Sequence, residues 1–326
     1  PAMPTWTELQ LFLDGSPRPF RLRDDAILEH VHWATTRTQV HEDLTVLAMD
    51  HRSQFEDLCR DTGADPARIP AFKALALKAV DRLARGDQRF GVLLDGRYGM
   101  RGLEAAADHP YWIGRPIEVP GSRPVQFESS PDVATEIATW PYNHVVKCLA
   151  FYHPDDPEAL REEQACQLLR LQDACRKTRH ELLVELIASR HGTINPHTVS
   201  RAIEQLYDRG LQPDWWKLEP AADQATWAHI EHAIRSRDAW CRGVLLLGLQ
   251  APSAELLASF RCAAANPIVK GFAVGRTIFA GPATRWLAGS IDDDTAVAEL
   301  AGGLATLVDG WRAARTAVHQ PWQEAM

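Results

Sequence analysis

The chain alternates eight short apolar runs, many of them β-branched, with longer stretches of helical periodicity, and this alternation limits its fold more than any other feature. The runs are TVLAMD (45–50), GVLLDG (91–96), PIEVP (116–120), HVVKCLAFY (144–152), LLVELI (182–187), DWWKLEP (214–220), GVLLLGL (243–249) and GFAVG (271–275). Between most of them lie helix-like segments with boundary signals. The stretch 156–181 opens Asp-Pro, carries glutamates in its first turns and ends in basic residues, as suits the helix dipole. The stretch 195–210 opens Asn-Pro and stops at Gly210. Strand and helix in strict succession imply parallel pairing with right-handed crossovers, and eight such strands imply a closed (β/α)8 TIM barrel of the α/β class. A doubly wound open sheet is the alternative, but no G-x-G-x-x-G follows the first strand. The expected organisation is an N-terminal extension, 1–44, with one helix packing on the barrel or meeting another copy in a homo-oligomer, and a barrel over 45–326.

Composition narrows the class of function. A formal net charge of -8 argues against general attraction to nucleic acid or an anionic membrane. No apolar run approaches a membrane span, and the start lacks a basic segment followed by an apolar one, so a cytoplasmic protein is expected. The six cysteines include no C-x-x-C pair and none has a histidine at finger spacing, so neither a zinc site nor a disulfide framework is expected.

Charges inside the apolar runs point to chemistry. Buried parallel strands should be almost wholly apolar, and a charge within one is costly unless partnered or employed. Asp50 ends the first run and Asp95 lies in the second. Glu118 lies in the third, Lys147 in the fourth, Glu185 in the fifth and Lys217 in the sixth, while Arg276 follows the eighth. Any one of these is more simply an ion pair or a rim residue. Together, at the C-terminal ends of consecutive barrel strands, they form a set in which one lysine can lose its proton and one carboxylate can move it. Lys217 sits in DWWKLEP, where its stem could merely snorkel, or its amine could be made neutral and nucleophilic. The turn at Gly248 and the Gly275-Arg276 pair follow the seventh and eighth runs, where such barrels often hold phosphate. No metal and no cofactor is expected, since the strand residues offer lysines and carboxylates where metal-assisted chemistry would want several histidines.

The stretches LAMDHRSQFEDL, GVLLDGRYGM, YWIGRPIEVPGSRPVQFE, HVVKCLAFYHPDDP and LLVELI resemble the aldolase-like domain fused to bacterial 5-dehydro-2-deoxygluconokinase, described as a 2-deoxy-5-keto-gluconate 6-phosphate aldolase. More distantly, the order of charged residues is similar to that of class I tagatose-bisphosphate aldolases. The resemblance implies a class I aldolase that cleaves 6-phospho-5-dehydro-2-deoxygluconate into dihydroxyacetone phosphate and malonate semialdehyde in inositol catabolism. It implies Lys217 as the imine-forming lysine, Glu185 as acid and base, Lys147 as the second lysine and Asp50 as the first-strand acid. Arg276, Gly275 and Gly248 would hold phosphate. Arg52 or Arg97 would meet the substrate carboxylate, or form rim ion pairs, and Asp95 and Glu118 would line the site. Lys147 could exchange roles with Lys217. His51 is either a proton relay or a structural residue, His144 is read as structural, and Tyr98 either bonds substrate or covers the mouth. One of Trp215 and Trp216 should point into the barrel. The alternatives are an aldolase for another ketose phosphate and a non-catalytic sugar-phosphate sensor partnering a separate sugar kinase.

Overall fold

The computed structural model describes residues 22–37, 39–128, 132–221 and 223–319. Eight parallel strands close on themselves in sequence order, each paired with the next and β8 with β1. They are β1 (Leu44–Met49), β2 (Phe90–Leu94), β3 (Trp112–Pro116), β4 (Val145–Phe151), β5 (Leu182–Ile187), β6 (Trp215–Leu218), β7 (Gly243–Leu246) and β8 (Val269–Val274). The barrel expected from the alternating runs is the one observed. The third strand differs in place: PIEVP forms β3 only at Pro116, and Glu118 lies beyond it in an isolated antiparallel bridge with Phe127. Trp112 of this earlier strand faces the barrel interior, and Glu118 keeps the same parity beyond its end.

The helical layer comprises α1 (Leu22–Thr36), α2 (Ser53–Thr62), α3 (Ile69–Ala84), α4 (Met100–Ala106), α5 (Val133–Ile137) and α6 (Glu158–Thr178). It continues with α7 (Thr198–Asp208), α8 (Gln224–Arg235), α9 (Ser253–Ala264), α10 (Arg276–Leu287) and α11 (Asp293–His319), the last packing across α3, α9 and α10. Local chemistry sets several boundaries. Asp223 accepts the Thr226 amide N–H at 2.7 Å to start α8, and Gly63 ends α2 in the left-handed conformation, φ 68°. The Asn-Pro expected to open α7 instead forms a turn ahead of it, where the Asn195 side chain accepts the His197 amide.

Alternation along the strands makes two cores. Val46, Leu93, Trp112, Val145, Leu183, Trp215 and Leu245 fill the barrel interior, while alternate residues such as Val92, Val146, Val184 and Trp216 pack under the helices. DWWKLEP is thereby resolved residue by residue. Trp215 points inward, its indole N–H donating to Glu181 at 2.7 Å at the barrel floor, and Trp216 points outward to Tyr207. Lys217 has the parity of Trp215 and so faces the interior above it. Asp214 anchors α1 beneath the barrel: its carboxylate accepts from Trp33 and from the Leu182 amide, each at 2.8 Å, and pairs with Arg37. His30 extends this floor. Arg176 donates to its Nδ1 at 2.9 Å, so Nε2 carries the proton that it donates to Asp238 at 2.9 Å.

Candidate active site

At the C-terminal mouth the inward charges of β1, β4, β5 and β6 converge. Lys147 is buried, and its ammonium meets Asp50 at 3.0 Å, Glu118 at 3.1 Å and Glu185 at 2.8 Å. The other oxygen of Glu185 pairs with Lys217 at 2.9 Å. β5 and β6 lie in register at Glu185 and Lys217, which is why the two side chains meet. Burial works against the charge on Lys147, but Asp50, Glu118 and Glu185 together outweigh it and hold its pKa well above the ordinary lysine value. Burial likewise opposes the charge on Asp50 and Glu185; Lys147 and then Lys217 overcome it and keep both carboxyls below their usual values. Of the two lysines, Lys147 is the one locked as a cation by three carboxylates. Lys217 shares a single carboxylate and faces the open side.

That side is a cleft lined by Lys217, Glu185, His51, the Gly248–Leu249–Gln250 turn after β7, Gly275 and Arg276. Gly275 precedes the first turn of α10, so the N-terminus of this helix opens on the cleft with Arg276 as its first residue. A Cβ on Gly275 would lie 2.1 Å from the Ala48 carbonyl oxygen, so the close approach of β8 to β1 requires glycine. In the opposing turn two consecutive non-glycine residues adopt left-handed backbone, Leu249 at φ 45° and Gln250 at φ 66°. Such strain concentrates at functional sites, and successive turn amides of this kind form concavities suited to anions. Arg276 donates to the Gln250 side chain at 3.2 Å, tying the two turns together.

His51 lines the cleft, its ring edge-on to Phe279 with centroids 5.0 Å apart and its Nδ1 3.7 Å from Asp50. Burial, reinforced by Lys217, Arg276 and Lys147 and only partly offset by Asp50, lowers its pKa to about 3. The imidazole is therefore neutral near pH 7, which disfavours the relay reading and suits a hydrogen-bonding wall of the cleft.

Other expected site residues fall elsewhere. Asp95 is buried against Lys73, which also donates to the His51 carbonyl, and accepts the Tyr98 amide at 2.7 Å; it braces the ends of β1 and β2. Arg97 is exposed and pairs with Glu56 at 3.2 Å, and the Tyr98 hydroxyl donates to the same carboxylate. Arg52 is buried between Glu118 at 3.0 Å and Glu128 at 2.9 Å, so its charge is already matched within the protein. Glu118 acts within the Lys147 cluster. His144 is buried, and its pKa is lowered to about 4 by burial and then by Arg115.

Glu128, Glu219 and Gln250 belong to the site's framework and escaped sequence reasoning. Glu219 lies two residues past Lys217, and that parity was a legible signal; its carboxylate accepts the Ala188 and Ser189 amides at 2.8 and 3.2 Å and fixes the loop after β5. Among the described residues no group of three or more His, Cys, Asp or Glu is arranged to hold a metal, and no helix is long and apolar enough to cross a membrane.

Comparison with known proteins places this architecture. The chain is similar in structure to a fructose-bisphosphate aldolase from Plasmodium falciparum, solved in complex with TRAP and a small-molecule inhibitor. The TM-score is 0.64 at 13% sequence identity, covering 92% of this chain and 96% of that one. At that identity the likeness establishes the shared barrel fold. No curated protein sequence matches the chain. A family model described as "uncharacterized protein conserved in bacteria" (DUF2090) matches residues 8–315, nearly the whole chain, and the protein belongs to that family.

Proposed function

We propose that the protein is a class I aldolase that cleaves a phosphorylated keto sugar acid, with 6-phospho-5-dehydro-2-deoxygluconate as the substrate the motifs favour. The observation that carries this reading is the pair of lysines on one carboxylate: Lys147 held charged by three carboxylates, and Lys217 facing the cleft with Glu185 alone.

Lys217 passes a proton to Glu185 and its amine attacks the C5 ketone. Loss of water from the carbinolamine gives an iminium, an electron sink next to C4. Glu185, recharged as a carboxylate, takes the C3 hydroxyl proton directly or through water. The C3–C4 electron pair moves into the enamine, and malonate semialdehyde leaves. Protonation at C4 and hydrolysis of the imine return Lys217 and release dihydroxyacetone phosphate. Lys147, fixed as a cation, steadies the Glu185 and Asp50 carboxylates through the cycle. Arg276, the α10 N-terminus and the Gly248–Gln250 turn grip the phosphate and align C5 over the amine.

Borohydride reduction in the presence of dihydroxyacetone phosphate, followed by peptide mass mapping, tests the proposal. A reduced adduct on Lys217, absent in Lys217→Met, is the expected outcome. An adduct on Lys147 would exchange the two roles, and no adduct on either lysine would sink the imine mechanism.

A further inference from the structure

We infer that Arg190, on the loop between β5 and α7, receives a second anionic group of the substrate and so selects keto compounds charged at both ends. The inference rests on the reading that the cleft at Lys217 is the substrate site.

A phosphorylated keto acid or bisphosphate needs a cation at each end, and the structure uses up most of those at the mouth. Arg52 is matched by two carboxylates, Lys147 by three, and Arg97 by Glu56 well away from the cleft. Arg123, at the β3 side, pairs with Asp156. Arg276 serves the end formed by the turns after β7 and β8. Arg190 is exposed and makes no ion pair among the described residues.

Its place is built rather than incidental. Ile187, the last residue of β5, lines the cleft, and the chain turns immediately under the control of Glu219, which binds the amides of Ala188 and Ser189. Three residues on, the Thr193 carbonyl contacts the His153 ring at 3.3 Å, so the loop is held on both sides of Arg190. β6, which carries Lys217, and β7 separate β5 from β8 around the barrel wall, so Arg190 and Arg276 follow strands on either side of the one that carries the amine. They also share one electrostatic field: after burial, the charge of Arg190 does most to push the Arg276 pKa below the usual arginine range. Two like charges facing one mouth repel when it is empty and are both satisfied by a ligand with an anion at each end. The chemistry expected is a phosphate at Arg276, a ketone over Lys217 and a carboxylate or second phosphate at Arg190.

Calorimetric titration with ligands that lack a ketone tests this independently of imine formation. Glucitol 6-phosphate and 6-phosphogluconate share a carbon chain and differ at the far end, a hydroxymethyl against a carboxylate; glucitol 1,6-bisphosphate supplies a phosphate there. The wild type should bind at least one doubly anionic ligand about tenfold more tightly than glucitol 6-phosphate, the factor one charge-assisted contact supplies. Which of the two is preferred identifies the far group. In Arg190→Gln the preference should vanish while the affinity for glucitol 6-phosphate holds, and Arg190→Lys should restore part of it. Equal binding of all three ligands, a preference that survives Arg190→Gln, or no binding of any ligand would overturn the inference. Failure of borohydride trapping with these preferences intact would instead remove the aldolase mechanism and leave the bis-anion site standing.

Discussion

Replacing Lys147 by methionine leaves Asp50, Glu118 and Glu185 buried around a neutral side chain. Removing one partner of a buried ion pair typically costs about 3–5 kcal/mol, because the remaining charges are then uncompensated. Lys147→Met should therefore lower the urea midpoint severely. Lys217→Met should lower it much less, since Glu185 keeps Lys147, while abolishing borohydride trapping. Glu185→Gln should retain phosphate binding and reduce turnover by about 10²–10⁴, the usual contribution of a positioned acid and base. The three residues of this cluster that lie on strands, Lys147, Glu185 and Lys217, were legible in the sequence because a charge in an apolar strand is anomalous on its own. For Arg52 and Arg97 the sequence left substrate contact and ion pair equally open, and for Asp95 it named no partner. Only the tertiary contacts of Arg52 with Glu118, Asp95 with Lys73 and Arg97 with Glu56 show what these charges meet.

At the level of elements, closure depends on a glycine that no motif marks. Gly271 of β8 has φ 143°, and a Cβ there would lie 1.9 Å from the Leu44 carbonyl oxygen of β1. Gly271→Ala should destabilise the protein by more than the ordinary 1 kcal/mol or so of a point substitution, because both the backbone conformation and the β1 carbonyl refuse the methyl group. A drop in the urea midpoint at unchanged m-value would record it, and stability within experimental error of wild type would show that β8 can shift to accommodate the group. Seven of the eight strands were readable from apolar runs to within a residue or two at most boundaries. β3 was not, since its pattern is Trp-Ile-Gly-Arg-Pro, poor in β-branched residues and carrying, just before its final proline, the buried Arg115 stacked on Trp140. The left-handed pair Leu249–Gln250 was illegible too, because neither residue type signals positive φ.

The molecule as a whole should be acid-sensitive well above the carboxylate range. His51 is held at about 3, and His41 and His144 at about 4, in each case chiefly by burial. Each stays neutral in the fold while the unfolded chain protonates it near pH 6.5. Between the two values the unfolded state binds more protons, so stability falls as pH falls, by about 1.4 kcal/mol per pH unit at most for each histidine. Below about pH 4 the lowered carboxyls of Asp50 and Glu185 add to the loss, since the unfolded chain then takes up their protons first. Urea titrations at pH 7.5 and 5.5 should give a clearly lower midpoint at 5.5, restored in part by His144→Gln. Equal midpoints would mean that these imidazoles protonate freely in the folded protein.

A barrel in which β8 closes on β1 also sets a schedule for the ribosome. The ion pair between Glu42 and Lys270, at the base of those two strands, spans 228 residues of chain. At synthesis rates of about 5–20 residues per second, the first strand waits roughly ten to forty-five seconds for its second neighbour. Throughout that interval one edge of the nascent sheet presents unpaired amides and carbonyls to the cell. Chaperone protection during translation, rather than the stability of the finished barrel, is then expected to limit the yield of folded protein.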